Sequence, residues 1–278
     1  MSGWLHGRWL VFTMVFGCSS TGVGNPLTAS EQSLLVLGED ATSAGDTASS
    51  LVSVPIVALS DTASLTVAED LSSGAETRTP LYYQPKGCLV TTRNGATVTF
   101  DFQGCRTGAL GVGAEVHGQL VAAYTLTPGS EMGVTISTPS TLTLALVPVT
   151  LTAETSFTAN GTTRSLVWSG AYHADRLLRP PIDHEASYQA MYDTSTQCLS
   201  LSGSATTTLA TGDGVESVLS DYVRCGTRTA CPQSGMLTLT RLPNRTESIV
   251  VDYTGGPSVR VRVPQRGVDV QVALACDG

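Results

Sequence analysis

Cys88-Leu-Val-Thr-Thr-Arg-Asn-Gly-Ala-Thr-Val-Thr-Phe-Asp-Phe102 holds two runs of alternating apolar and polar residues on either side of Asn94-Gly95. Asn-Gly between alternating runs is a strong signal for a two-residue type I′ hairpin turn, because both central positions need positive φ. Read that way, the turn pairs Arg93 with Ala96, and hence Leu89 with Phe100 and Thr91 with Val98. Leu89, Val98, Phe100 and Phe102 then share one face, and Thr92, Thr97, Thr99 and Asp101 take the other. An antiparallel pair with one dry face and one wet face follows.

The same texture extends in both directions. Asn160-Gly161 centres a second hairpin that pairs Ala153 with Trp168 and Val149 with Tyr172. It collects Val149, Leu151, Ala153, Phe157, Leu166, Trp168 and Tyr172 on one side. Further on, Ile249, Val251 and Tyr253, then Val259, Val261 and Val263, then Val268, Val270, Val272 and Leu274 alternate with polar or charged residues. No long helical period occurs after residue 80. The expected fold class is all-β: a large antiparallel sheet of about a dozen strands over 81–278, as a sandwich or a barrel-like meander. A split into two modules would fall near 177–183, where Arg179-Pro180-Pro181 interrupts the pattern. A membrane-spanning barrel fits poorly, since aromatics are 6% of residues and such barrels need aromatic girdles.

Residues 18–80 differ. No aromatic residue lies between Phe16 and Tyr82, and residues 18–78 carry eight acids against Arg78 alone. Much of the formal net charge of −8 resides there. Such a Ser/Thr/Ala-rich composition buries little, so the segment reads as a flexible acidic tether with a reach of about 40–45 Å. Two pieces, Ser33-Leu-Leu-Val-Leu37 and 51–59, are apolar enough to dock on the domain or form short helices. With no basic patch, nucleic acid is not an expected partner.

Of the seven cysteines, Cys18 stands apart near the N-terminus, leaving Cys88, Cys105, Cys198, Cys225, Cys231 and Cys276. An even set in an exported chain reads as three disulfides. Nearest-neighbour pairing would join Cys88 with Cys105, Cys225 with Cys231, and Cys198 with Cys276. No C-x-x-C pair occurs to favour a structural zinc site, and no metal or other cofactor is expected.

Residues 1–17 have Arg8 followed by an apolar stretch, Trp9 to Phe16, broken only by Thr13; this suits a signal peptide and is too short to span a bilayer. The stretch ends in Val15-Phe16-Gly17-Cys18, which resembles the lipobox of bacterial lipoproteins, with Phe16 bulkier than the usual middle residue. The resemblance covers about 20 residues. It implies cleavage before Cys18, acyl chains such as palmitate on the new N-terminal cysteine, and stable anchoring by two or more chains. Ser19 lacks the aspartate associated with inner-membrane retention, so the outer membrane is implied where the cell has one.

The densest polar cluster is Tyr172-His173-Ala174-Asp175-Arg176 with Asp183-His184-Glu185. His173, Asp175, Asp183, His184 and Glu185 are the candidates for acid–base or metal chemistry. Position 188 is Tyr, so His184-Glu185 does not complete H-E-x-x-H. G-x-S-x-G, S-x-x-K and the phosphate-binding glycine loops are also missing. A polar loop between two strands explains the cluster more simply. The expectation is therefore a lipid-anchored envelope protein with a binding or structural role, contacting the membrane through Cys18 and an envelope glycan or protein through its domain. The alternatives are an envelope hydrolase or metal-dependent enzyme using the 173–185 region, and a carrier of an apolar ligand.

Overall fold

A computed structural model describes residues 27–56, 67–106, 115–127, 131–226, 230–274 and 276. The signal segment 1–17 and Cys18 lie outside the described residues. From residue 89 onward the chain is a run of antiparallel strands. The first seven are β1 (Leu89–Asn94), β2 (Thr97–Arg106), β3 (Glu115–Thr127), β4 (Glu131–Ser137), β5 (Leu142–Leu144), β6 (Val147–Asn160) and β7 (Thr163–Ala174). There follow β8 (Ile182–Asp193), β9 (Cys198–Leu209), β10 (Gly214–Cys225), β11 (Ser234–Leu242), β12 (Ser248–Tyr253), β13 (Ser258–Val263) and β14 (Val268–Ala273). All belong to one sheet. Its pairing follows chain order from β1 to β14, except that short β5 sits off the path against β3 and β6. The expected large antiparallel meander is present. β7 and β8, on either side of the Arg179-Pro180-Pro181 interruption, pair along their whole length, from Thr163 opposite Asp193 to Ala174 opposite Ile182.

Both hairpins form, with their registers displaced by two residues from the expected ones. Asn94 pairs with Thr97 and Thr91 with Phe100, and in the second hairpin Asn160 pairs with Thr163 and Val149 with Ala174. Glycine takes the first central position in each turn, at φ +57° for Gly95 and +54° for Gly161. Asn ends the preceding strand instead of entering the turn. Because side chains alternate with period two, an even displacement leaves every residue on its expected face. Leu89, Val98, Phe100 and Phe102 are all buried, as are Val149, Leu151, Ala153, Trp168 and Tyr172.

A sheet with one apolar face must cover it. Here the cover comes from the acidic N-terminal segment: α1 (Ala29–Ser53) and α2 (Ala68–Arg78). Thr28 and Glu31 close a capping box at the start of α1. The tether reading is corrected for 27–56 and 67–80, which are packed on the sheet, and the apolar pieces at 33–37 and 51–53 belong to one 25-residue helix. Leu34, Leu37, Gly38, Ala41, Ala44, Gly45, Ala48, Leu51 and Val52 recur at helical spacing and are buried. Most are small, which lets the helix axis approach the strands closely: a Cβ on Gly38 would sit 2.6 Å from Leu239 Cδ1.

The helix crosses the strands. Near its start Ser30 Oγ donates to Glu247 beside β12, and just beyond its end Pro55 O accepts from the Tyr124 hydroxyl of β3. A 25-residue helix is about 37 Å long, and the eight strand spacings from β3 to β12 sum to about 38 Å. Helix length and sheet width therefore match. The smaller α2 covers β1 to β3, with Ser72 Oγ donating to Gly95 O.

The opposite face is open to solvent and rich in Thr, Ser and charged residues, among them Thr135, Thr152, Ser169, Ser187 and Ser204. A sheet spanning a bilayer would need the reverse arrangement and no free edges. No described helix is long and apolar enough to cross a membrane.

If α1 is part of the core, truncating it must cost stability. Leu34 is fully buried and Val36 is 55% exposed. Leu34→Ala should lower the free energy of unfolding by about 2–5 kcal/mol, and Val36→Ala should change it by less than about 0.5 kcal/mol. Denaturant titration of the two variants measures both; equal, negligible effects would mean that α1 does not hold the sheet.

Candidate functional site

Strand alternation divides the polar cluster between two faces. On the open face, His173 of β7 lies directly opposite Asp183 of β8. Its Nδ1 is 2.7 Å from Asp183 Oδ1, and its Nε2 is 3.3 Å from Asp175 Oδ1. The hydrogen bond to Asp183, assisted by that to Asp175, holds the imidazole above its ordinary pKa. Asp183 and Glu185 point to solvent on this same side. Thr150 is the other cross-strand neighbour of His173, so a hydroxyl, an imidazole and a carboxylate stand in a row. The arrangement nevertheless does not activate the hydroxyl. Both ring nitrogens are directed at carboxylates, at 2.7 and 3.3 Å, and not at the Thr150 hydroxyl that a general base would have to face.

His184, next in sequence to Asp183, points the other way. It is 1% exposed, beneath α1. One ring nitrogen, Nδ1, is 2.8 Å from Thr207 Oγ1. Nε2 has no hydrogen-bond partner among the described residues and faces Gly45, where a Cβ would lie 3.4 Å away. Burial pushes this imidazole down to about 4. His184 is thus a neutral core residue that substrate cannot reach. The five candidates do not converge: His173, Asp175, Asp183 and Glu185 are on or beside the open face and His184 is inside. No group of three His, Cys, Asp or Glu side chains among the described residues is arranged to hold a metal ion.

A second open-face group, which the sequence reading did not single out, lies toward the β2 end of the sheet. Glu115 accepts from Arg106 Nη2 at 2.9 Å and lies 2.9 Å from His117 Nε2, and these two contacts hold its carboxyl below the usual range. The signal that brings Arg106 and Glu115 together is hairpin register, since they pair across β2 and β3.

Under α1, Thr42, Asp46, Tyr188, Ser217 and Leu237 line a crevice of about 40 Å³. That is room for about three waters and far less than an acyl chain requires.

All six cysteines beyond Cys18 are bridged: Cys88 to Cys105, Cys198 to Cys225, and Cys231 to Cys276. The first pair is as expected. The other two replace the expected Cys225–Cys231 and Cys198–Cys276 pairs, because register and not chain proximity decides which sulfurs meet. Cys198 is the direct cross-strand partner of Cys225 in the β9–β10 hairpin. The turn near Thr211-Gly-Asp-Gly214 signals the hairpin, and a register shift between Leu219 and Tyr222 then brings the two cysteines opposite each other. Cys231 and Cys276 then tie the start of β11 to the residues after β14, across 45 positions. Three such bridges indicate an oxidising, non-cytoplasmic compartment.

Comparison with protein-family models, curated proteins and solved structures finds no match for this chain.

The buried imidazole makes a pH prediction. The His184 pKa in the folded state, about 4, is below its unfolded value of about 6.5. Its neutral form therefore contributes stability that is complete above about pH 6.5 and is lost as the pH falls toward 4, by about 3 kcal/mol at pH 4. His173 has the opposite sign: its raised pKa contributes below about pH 6.5 and fades as pH rises through the folded value. Unfolding titrations at pH 7 and pH 4.5 should show a steeper acid loss in the natural chain than in His184→Gln. Parallel acid losses in the two proteins would exclude His184 as the source.

Proposed function

We propose that the protein is an exported, lipid-anchored module of the cell envelope with a binding or structural role and no catalytic site of its own. The observation that carries the non-catalytic reading is the division of the polar cluster. His173 has both nitrogens engaged by Asp183 and Asp175, while His184 is sealed under α1. Export is supported by the three disulfides. Anchoring rests on the likeness of Val15-Phe16-Gly17-Cys18 to a lipobox, with Ser19 pointing to the outer membrane.

The surface available to a partner is the open face. Glu154, Ser169, Ser187 and Ser204 stand opposite one another across β6 to β9 and are all exposed. The three serine hydroxyls of this row, beside one carboxylate, offer donors and acceptors with little side-chain entropy to lose. The row suits a polar envelope partner, protein or glycan. The covered apolar face and its crevice of about 40 Å³ give no support to an apolar-ligand carrier.

Intact mass of the protein extracted from membranes tests address and bridges together. The natural chain should begin at Cys18 with added acyl mass and should gain six hydrogens on reduction, two for each of the three disulfides. Cys18→Ala should lack the acyl mass and leave the membrane fraction. A natural chain without acyl mass would refute the anchor.

A further inference from the structure

The two ends of the sheet are treated differently. At one end β1 is fenced: Thr91 Oγ1 donates to Glu76 O, and the Arg93 guanidinium is held 3.1 Å from Glu76. At the other end β14, Val-Asp-Val-Gln-Val-Ala, pairs only with β13 among the described residues. It has no proline, no lysine and no register shift, the devices by which sheet edges are normally protected from pairing. Every residue except Asp269 and Gln271 is apolar, and Val268, Val270 and Val272 on the helix-covered side remain half-exposed.

The hydrogen-bond parity of this edge can be derived. Leu274 N donates to Pro257 O, one step beyond the Ser258–Ala273 pair. In an antiparallel ladder hydrogen-bonded pairs alternate, so the even residues 268, 270 and 272 direct their backbone groups to β13. The odd residues Asp269, Gln271 and Ala273 direct theirs outward. An added strand must therefore bond to 269, 271 and 273.

We propose that β14 pairs with β14 of a second copy of this chain about a two-fold axis at Val270. This register sets odd residues against odd residues, as the parity demands. Val270 meets Val270, Val268 meets Val272, and Asp269 meets Gln271 of the second copy, so the two Asp269 carboxylates do not face each other. Asp269 is already neutralised by Arg260 on the open face, so the junction buries no lone charge. About four backbone hydrogen bonds form around the axis, and the half-exposed valines of both copies cover one another. The interface is isologous and closes on itself.

Sedimentation equilibrium of the full chain carrying Cys18→Ala, in which no lipid can drive association, measures the assembly. A reversible monomer–dimer equilibrium is expected. Gln271→Pro is the selective variant, because the Gln271 N–H points away from β13 and its loss leaves the monomer's own ladder intact. It should weaken the dimer by about tenfold or more, equivalent to about 1.4 kcal/mol, whereas Gln271→Ala, which loses the same side-chain hydrogen bond to Ser258 but keeps the outward N–H, should leave the dimer intact. Val270→Cys supplies a test independent of folding effects at 271. Its Cα atoms would lie about 4.5 Å apart in the non-hydrogen-bonded pair at the axis, within disulfide range, and should give a reducible dimer. A monomer at all concentrations, a dimer unaffected by Gln271→Pro, a dimer that Val270→Cys does not cross-link, or open-ended growth from β14 meeting β1 would each overturn the proposal.

Discussion

Everything in this fold depends on a helix laid across an apolar sheet face. Period-two alternation along thirteen successive partners produces one continuous greasy surface, and no second sheet among the described residues covers it. The chain meets the requirement with a helix as long as the sheet is wide between β3 and β12. Its contact stripe of Gly38, Ala41, Ala44, Gly45 and Ala48 lets backbone approach side chain closely. Larger residues on that stripe would hold the helix away from Leu201, Leu237 and Leu239 and leave a gap.

The strands were legible because a half-buried antiparallel pair writes its face into the sequence. Leu89, Phe100 and Phe102, or Leu151 and Trp168, fall on the correct side even though the turns slip by two residues. The slip itself was not legible, since Asn-Gly can supply both central turn positions or, as here, only its glycine. Helix α1 was harder to see for a physical reason. Its buried stripe is alanine and glycine, residues that resemble a linker in composition but pack because the opposing leucines provide the volume. The cysteine partners were readable in part. Cys88 and Cys105 flank one hairpin, whereas Cys198 and Cys225 require the register of the next. Of the polar cluster, the sequence shows its members but not their division; only strand alternation tells that Asp183 and His184, adjacent in the chain, face opposite sides of the sheet.

The charge asymmetry has a structural reading too. Three acids of the N-terminal segment pair with arginines of the sheet domain. Glu31 pairs with Arg266, Asp40 with Arg176 and Arg179, and Glu76 with Arg93. The Asp40 cluster clamps the Leu177–Asp183 connection, with Arg176 and Asp40 both largely screened from solvent. Planar guanidinium groups suit such carboxylate contacts better than ammonium groups do, consistent with a chain whose single lysine is Lys86.

The placement of α1 also orders events in time. Glu31 is joined to Arg266, 235 residues later, and Ser30 to Glu247, 217 residues later. As the chain is made from its N-terminus, α1 has no complete surface to rest on until β11 and β12 arrive. The growing meander meanwhile carries a bare apolar face. Contacts of such long sequence separation form slowly, and exposed faces of this kind invite aggregation. A chain built this way has a period of vulnerability set by its own topology, in which a chaperone would find its clearest target.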